Sequence, residues 1–498
     1  MIDKELAETL VNCVSSFSEK VAVKAHEYIG THQLITGYCQ YPVISQLLTS
    51  DVPEVKELRE KVPYLIHNIP RYNLVDFPES KIQYSAIFNG YRTDRLNVSD
   101  IEGFDELFAL IFETPELKRC FCQDDKLKKY TIERMISDIV KQYLYKIKAE
   151  KCVPENLSDL IRPFVLKKIW RFIGDVLEID ICVPICLITF SEEVISLSEN
   201  IEIVRIPDEI QQSRQQACAY ESDNEDWVAS CATHMLVLHG YQFNNSEYFS
   251  IVEATRNYNN YPLEEIDTVM ALIRIATGYT TGYEQILSFP VGWTDSVCED
   301  LIPIYGAKGH FVNPNELTKS WVQLKIETVT KAQTDIIKYL YQNYVSLKSN
   351  KNSTKLSFSI KRLNRCMLRN ERDDMAIDAT IGLEALLSGG TKGEITYTIS
   401  NRIPVVFALE KSDTYSASTC RSIMKTIYNY RSRVVHGDEL REKDKYYKIN
   451  NINVEIEKIA VDFLRHTLLF VLKNPLYLET AKFDEYIDKL VTEDATVE

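Results

Sequence analysis

The sequence predicts an α+β protein of several domains, with a helical N-terminal region, a central mixed α/β domain and a C-terminal helical bundle. A chain of 498 residues exceeds what one hydrophobic core usually organises, which implies two or three domains. Apolar residues recur at helical spacing near both ends of the chain, whereas stretches in the middle alternate apolar and polar residues as strands do. The polar stretch from Ser346 to Lys355 is the candidate linker before the bundle.

Residues 1–150 are predicted to be mainly helical, with helices at Asp3–Ile29 and Thr131–Ala149 and irregular, proline-punctuated sequence around Pro63–Pro78. Residues 151–345 are predicted to form the mixed α/β domain. Its segments are an amphipathic stretch, three strand-like stretches, a helix and a closing stretch, at residues 157–170, 177–190, 195–206, 233–243, 266–279 and 322–326.

The bundle is predicted for residues 355–475, because apolar residues recur at helical spacing in four or five successive segments. The acidic residues 476–498 follow as a short amphipathic helix or a frayed tail. The predicted helices of the bundle are Ser357–Arg369, Arg372–Leu387, Glu394–Leu409, Ala417–His436 and Ile452–Leu472.

Composition predicts a soluble cytoplasmic protein. The chain is 45% hydrophobic and 26% charged, which is ordinary for globular proteins. Its N-terminus lacks the basic and apolar pattern of a signal peptide, and no run reaches the ~18 apolar residues of a membrane span. Twelve cysteines in a long chain without a secretory signal predict free thiols in a reducing compartment.

We expect no metal ion and no cofactor. No phosphate-binding loop of the nucleotide-hydrolysing type occurs in the chain. Cysteine and histidine pairs lack the further ligands of a zinc site, and core or surface roles explain the histidines. The pairs concerned are Cys120 with Cys122, Cys182 with Cys186, and His234 with His239.

The predicted helix that ends near His436 has one apolar and one polar face. Apolar side chains recur at i, i+4, i+7 and i+11, the stripe that a helix buries, at Ile423, Ile427, Tyr430 and Val434. A polar set with the same spacing lies roughly 200° away around the axis, at Lys425, Asn429, Ser432 and His436. The side chain of His436 therefore points away from the core of its own bundle.

The end of this helix brings an arginine and a histidine to one rim. Gly437 can adopt the left-handed conformation that stops helices, which places His436 in the last turn beside unpaired carbonyls. Arg431 lies next to the apolar stripe, and its long side chain can carry the guanidinium to the rim. An arginine and a histidine in one helix are common, so their spacing alone does not establish a site.

Two segments resemble the HEPN superfamily and, within it, the Apea-like HEPN branch. The last recurrent helix of that branch reads Tyr-x-x-Arg-Ser-x-x-Val-His-Gly, and the matching residues here are Tyr428, Arg431, Ser432, Val435, His436 and Gly437. About fifty residues earlier, Asp373–Leu387 is similar to the other recurrent helix of the family, whose acidic positions are filled by Asp374, Asp378 and Glu384. The resemblance covers roughly residues 355–475, so it implies an HEPN-type bundle there and says little about the rest.

The resemblance implies a metal-independent endoribonuclease of bacterial anti-phage defence, acting by abortive infection. The ribose 2′-hydroxyl would attack the adjacent phosphate in a cleft formed by such helices from two protomers. His436 would transfer protons, Arg431 would bind the phosphate, and Ser432 would orient the imidazole or bond a phosphate oxygen. Here His436 is followed by Gly437 and Asp438, which differs from the His-x-Tyr sequence of the branch in which the tyrosine is modified.

For each of three further residues the sequence leaves two roles open. Glu384 and Asp378 either hold Arg431 in place or serve as satisfied polar groups between helices. Tyr428 either stacks on a base or belongs to the core.

Positive charge is concentrated in the predicted bundle. The whole chain has a net charge of −15, which argues against non-specific coating of nucleic acid, yet residues 355–475 carry five more Lys and Arg than Asp and Glu. A cationic series would form a stripe on one helix if the helix continues far enough. It either steers phosphate or is a solvated face. The series is Lys361, Arg362, Arg365, Arg369 and Arg372, and the first four are the candidate RNA-binding residues.

The predicted partners are an RNA substrate, with tRNA, messenger and ribosomal RNA all open, and a second copy of the chain bound through the bundle. Residues 1–345 would sense a phage-derived trigger, a role assigned by elimination. The alternative is a non-catalytic dimeric sensor or scaffold whose bundle binds RNA or a partner protein.

Overall fold

The computed structural model describes residues 2–32, 42–46, 53–61, 64–68, 83–88, 95–121, 124–217, 231–245, 251–295, 301–311, 326–369, 371–389, 394–410 and 415–494. These residues form a mixed α+β structure, which confirms the predicted class. None of the described helices combines the length and the apolar character that crossing a membrane would require.

The N-terminal part is a group of helices around one apolar core. Helix α1 begins after Asp3, whose carboxylate accepts a hydrogen bond from the backbone N–H of Leu6 at 2.8 Å. The helices that contribute to this core are α1 (Lys4–Thr31), α3 (Phe104–Glu113), α4 (Pro115–Lys118), α5 (Lys128–Ile147) and α6 (Leu157–Ile173), and a further helix, α2 (Pro53–Lys61), lies between α1 and α3 in the chain. Strands β1 (Pro42–Gln46) and β2 (Tyr64–Asn68), which flank α2 in the chain, pair antiparallel.

This part differs from the prediction in two places. Helix α6 packs on α1 and α5, so the residues that the sequence placed at the start of the central domain complete the N-terminal core instead. The stretch around Pro63–Pro78, predicted to be irregular, contains strand β2, and its remaining residues lie outside the described ranges. The helices predicted at Asp3–Ile29 and Thr131–Ala149 are confirmed, with their ends shifted by one to three residues.

An antiparallel sheet follows, with strand order β5-β6-β7-β3-β8-β9. Its strands are β3 (Val176–Ile185), β5 (Val194–Ser196), β6 (Ile201–Arg205), β7 (His234–Asn244), β8 (Tyr283–Pro290) and β9 (Tyr305–Phe311). Outside the sheet, β4 (Ile188–Phe190) pairs in parallel with β10 (Glu327–Val329). The helices of this part are α7 (Asp208–Ala217), α8 (Ile251–Arg256), α9 (Leu263–Thr277) and α10 (Lys331–Leu347). Of the closing stretch predicted at residues 322–326, only Ile326 lies within the described ranges.

The C-terminal part is a helical bundle with one small hairpin. Its helices are α11 (Ser353–Leu368), α12 (Arg372–Leu387), α13 (Ile395–Leu409), α14 (Ala417–His436), α15 (Ile456–Lys473) and α16 (Ala481–Asp494). The hairpin consists of β11 (Tyr446–Ile449) and β12 (Ile452–Glu455).

The prediction of a helix at Ile452–Leu472 is wrong at its start, where the structure has the second strand of this hairpin. The first four residues of that range form strand β12, and helix α15 begins only at Ile456. Asn450 and Asn451 both have positive φ angles, of 47° and 66°, which is the conformation of a two-residue turn that reverses the chain. The apolar periodicity of this segment does not reveal the turn.

The sheet and the bundle share one hydrophobic core. Helix α9 packs on α10, α11 and α15, so the helix that covers the sheet also contacts the bundle. The predicted linker is a short turn between α10 and α11, and its flanking residues Leu347 and Leu356 are buried. Helix α16, in the predicted acidic tail, is docked by the buried ring of Phe483 and by an ion pair between Arg402 and Asp484, with Nη2 and Oδ2 2.6 Å apart.

A buried ion cluster joins the N-terminal helices to the sheet. Asp138 on α5 accepts from Lys168 Nζ of α6 at 2.8 Å and lies 2.9 Å from Lys141 Nζ. Lys168 also donates to the backbone carbonyl of Asp295, shortly after β8. Burial raises the pKa of the Asp138 carboxyl, but the two lysines outweigh burial and hold that pKa below its ordinary value.

Candidate functional site

Helix α14 has the two faces that its sequence predicts. Ser416 caps its start, because the serine hydroxyl accepts from the backbone N–H of Thr419 at 3.2 Å. The apolar stripe is buried at Ile423, Ile427 and Tyr430 and packs against α12, α13 and α15. The polar set is exposed at all four positions, namely Lys425, Asn429, Ser432 and His436.

The end of α14 is a glycine-terminated cap. Gly437 has a φ of 72°, in the left-handed region that glycine adopts without strain. Its N–H donates to the carbonyl of Val434 at 3.1 Å, and the N–H of Asp438 donates to the carbonyl of Arg433 at 2.9 Å. The chain therefore leaves the helix immediately after His436 and exposes the imidazole in the last turn.

Arg431 is half-buried, and within the described part of the chain it forms no hydrogen bond or ion pair. Its Nε atom is fully buried without an acceptor. Two residues later, Arg433 is paired with Asp444, with Nη1 and Oδ2 2.6 Å apart. The terminal nitrogens of Arg431 are thus not committed to a carboxylate, unlike those of Arg433 and of Arg402.

Tyr428 connects α14 to helix α12. Its hydroxyl donates to Glu384 Oε1 at 3.2 Å, and its ring is buried in the shared core, the second of the two readings of this residue. Burial, and then the Glu384 carboxylate, raise the pKa of Tyr428, whereas the charge of Arg431 opposes the rise. Tyr428 and Glu384 therefore form a polar contact beside Arg431, on the inner side of the candidate site.

Asp378 lies on a different face of α12. Six residues separate it from Glu384, which amounts to roughly 240° around the helix axis. The Asp378 carboxylate is buried and pairs with Arg362, and its Oδ2 lies 3.0 Å from Arg369 Nε. Asp378 is therefore an ion-paired carboxylate between α11 and α12, although its buried Oδ2 accepts no hydrogen bond. Among the described residues its ion pairs are with Arg362 and Arg369 and not with Arg431.

The cationic series does not form one continuous stripe. Helix α11 ends at Leu368 and Arg369 has an extended backbone, so no single helix carries the whole stripe. Arg362 and Arg369 pair with acids of α12, and Arg372 Nη2 lies 2.6 Å from Glu455 Oε1.

The other two cations lie on the side of α11 that faces helix α9. Lys361 Nζ lies 3.1 Å from Glu264 Oε1 on helix α9, and Arg365 is exposed along the same side of α11. Helix α12 contacts α11 through Asp378 and α14 through Glu384, which lie on different faces of α12, so α12 lies between α11 and α14.

We predict that Glu384→Ala destabilises the protein by about 1 kcal/mol, because the hydroxyl of Tyr428 loses its acceptor in a partly buried place. Glu384→Gln keeps an acceptor oxygen and should retain most of this stability. Chemical denaturation of both variants at neutral pH measures the difference. Equal destabilisation by the two substitutions would show that the hydrogen bond to Tyr428 contributes nothing.

Two histidines of the sheet have local partners. His234 is buried, its Nε2 contacts the carbonyl of Glu192 at 3.1 Å, and burial lowers its pKa to about 4. His239 lies between Asp180 and Glu202, at 3.0 and 3.4 Å. Burial lowers the pKa of His239, but the two carboxylates outweigh it and the net shift is upward. The spacing of residues in the sequence does not predict these partners, because Asp180 and Glu202 lie on the neighbouring strands β3 and β6.

The described cysteines are free thiols. Burial raises the pKa of Cys120, Cys182 and Cys186, which disfavours the reactive thiolate. Cys122 lies outside the described ranges. Within those ranges, no group of three or more His, Cys, Asp or Glu side chains is arranged to hold a metal ion.

Comparisons with protein-family models, with curated proteins and with solved structures give no match to this chain. The resemblance to the HEPN superfamily therefore rests on the two sequence segments in α12 and α14. Of the sequence-predicted site residues, Arg431, Ser432 and His436 lie along the last two turns of α14, with Tyr428 and Glu384 beneath them.

Proposed function

We propose that this protein is an HEPN-type endoribonuclease that cleaves RNA without a metal ion and acts in bacterial anti-phage defence. One observation carries the proposal. Arg431, Ser432 and His436 lie uncommitted at the end of one amphipathic helix, with no hydrogen bond or ion pair to the described residues, although other arginines of the bundle are paired. Polar groups without internal partners on a well-packed helix are available to a ligand.

The chemistry assigned to these residues follows from their functional groups. The imidazole of His436 would take the proton of the ribose 2′-hydroxyl and later protonate the leaving 5′-oxygen, since an imidazole can do both near neutral pH. The guanidinium of Arg431 would donate paired hydrogen bonds to the phosphate oxygens as they gain charge. Ser432, one turn before His436, would hydrogen-bond the imidazole or a phosphate oxygen.

Helical geometry favours a site made by two protomers. Arg431 and His436 are five positions apart in sequence number, which amounts to roughly 140° around the helix axis. The two side chains therefore reach the rim at the end of α14 from different directions around the axis, whereas two facing helices bring the arginine of one and the histidine of the other together. Val435 lies between them and is 51% exposed, which suits a helix end that packs against a second copy.

The N-terminal helices and the sheet would hold the bundle inactive until a phage-derived signal arrives. The support for this part is their packing. The sheet and the bundle share one core, and the ion cluster at Asp138 joins the sheet to the N-terminal helices. A change in either region thus has a physical route to the bundle.

The products of the reaction test the proposed chemistry. Attack by the 2′-hydroxyl should leave a 2′,3′-cyclic phosphate and a free 5′-hydroxyl, and the rate should be unchanged by an excess of chelator. End-group analysis of the cut RNA, with and without chelator, measures both. Strict dependence on magnesium, or products with a 5′-phosphate, would contradict the mechanism.

A further inference from the structure

A cleft of about 760 Å³ lies between helices α9, α10 and α11, where the helix that covers the sheet meets the bundle. A second cavity of about 250 Å³ continues it along α11 and shares the side chains of Glu264, Tyr344, Ser357 and Lys361. From Ser353 to Arg365 the helix extends for about 18 Å at 1.5 Å per residue. The combined space is within the range of small-molecule sites in proteins.

The lining combines cationic, hydroxyl and aromatic groups at one end of the cleft. Lys348 lies just before α11, and Ser353 and Thr354 are the first two residues of that helix. An anion there would meet the ammonium group of Lys348 and the hydroxyls of Ser353 and Thr354. One turn further along, Phe358 lines the cleft and is 38% exposed, with the guanidinium carbon of Arg362 4.9 Å from the centroid of its ring.

The opposite wall of the cleft is acidic. Glu264 and Glu265 belong to α9, and Asp267 lines the continuation. These carboxylates can accept hydrogen bonds from hydroxyl or amino groups of a ligand, but they repel a long run of phosphates. Together with the inward pairing of Arg362 and Arg369, they favour a small ligand with one anionic group over an RNA strand.

We propose that this cleft binds a nucleotide. The phosphate lies against Lys348 and the hydroxyls of Ser353 and Thr354, the base stacks on Phe358, and the sugar hydroxyls face Glu264. Lys361 pairs with Glu264 across the cleft, and because both side chains are exposed this ion pair can rearrange around the ligand at little cost. This site is separate from Arg431 and His436, and its occupation does not depend on the proposed cleavage of RNA.

Titration calorimetry of the full-length protein tests the site with AMP, GMP, CMP and UMP as probes, and with adenosine as a probe that lacks phosphate. Lys348→Ala should weaken binding of AMP by about tenfold or more and leave binding of adenosine unchanged. Phe358→Ala should weaken both probes by about fivefold or more, because each loses its stacking partner. Lys355→Ala is the matched control, since Lys355 is an exposed cation on the same helix outside the lining.

Three results would overturn the proposal. The first is no binding of any mononucleotide at about 1 mM. The second is binding that neither Lys348→Ala nor Phe358→Ala weakens, which would place the ligand elsewhere. The third is tighter binding of a 20-nucleotide RNA than of AMP, with the RNA affinity lowered by the same two substitutions. This result would identify the cleft as a binding site for an RNA strand.

Discussion

Replacing Arg431 or His436 by alanine should each reduce RNA cleavage by about 10³-fold and abolish toxicity in cells, with the fold intact. The loss of His436 removes the group that moves the protons, a contribution of about 10²–10⁴ in rate. The loss of Arg431 removes the donors for the charged phosphate. His436 is exposed, so its substitution should change stability by about 0.5 kcal/mol or less. Cleavage assays with purified variants, together with thermal unfolding, separate activity from folding.

Matched controls lie on the same helix. Arg421→Ala and Lys425→Ala remove cations of α14 outside the candidate site and should leave cleavage unchanged. Arg431→Lys keeps the charge but loses the planar pair of donors, so its activity should fall between wild type and Arg431→Ala. Toxicity that persists in both Arg431→Ala and His436→Ala would contradict the proposed site. Phage protection unchanged in these variants would favour the non-catalytic scaffold.

Asp138→Ala should destabilise the protein by about 3–5 kcal/mol, the largest effect that we expect on stability. The substitution leaves Lys168 and Lys141 without their carboxylate in a place where Lys168 is only 2% exposed. Chemical denaturation at pH 7 measures the loss. Asp125→Ala is the control, because the Asp125 side chain that pairs with Lys128 is 88% exposed, and the unfolding midpoint should not change. An unchanged midpoint in Asp138→Ala would show that the cluster does not hold these elements together.

The ion cluster at Asp138 also predicts that the free energy of unfolding depends on pH in the acid range. The pKa of Asp138 is lowered in the folded state, so its carboxylate stabilises the fold at a pH above its ordinary pKa of 3.8. This stabilisation is lost as the pH falls below 3.8 and the folded protein takes up the proton. Between pH 5 and pH 3, the unfolding free energy of wild type should therefore fall more steeply than that of Asp138→Ala.

The sequence predicts helices better than it predicts how they are grouped. The sequence predicts both ends of helix α14, because an apolar stripe, a polar face and a following glycine all indicate the same structure. The grouping of α6 with α1 and α5, and the core shared by sheet and bundle, depend on contacts between residues far apart in the chain. Periodicity along one segment contains no information about such contacts.

The residues of the candidate site differ in the same way: some features follow from one segment of sequence, and others depend on contacts between distant residues. The exposure of Ser432 and His436 followed from helical spacing. The partners of Asp378 did not, because Arg362 lies on another helix and the sequence alone left two readings of that carboxylate open. Likewise, the aromatic ring of Phe358 joins Lys348 in one cleft only because α9, α10 and α11 meet there.

The most direct test of the central claim is to incubate purified wild type and His436→Ala with total cellular RNA in the presence of chelator, and to sequence the new RNA ends. We expect discrete cuts made by wild type and absent with His436→Ala, and the positions of these cuts would identify the substrate. Identical cuts by both proteins, or no cuts by wild type with the RNA of phage-infected cells, would contradict the assignment of an RNase site to α14.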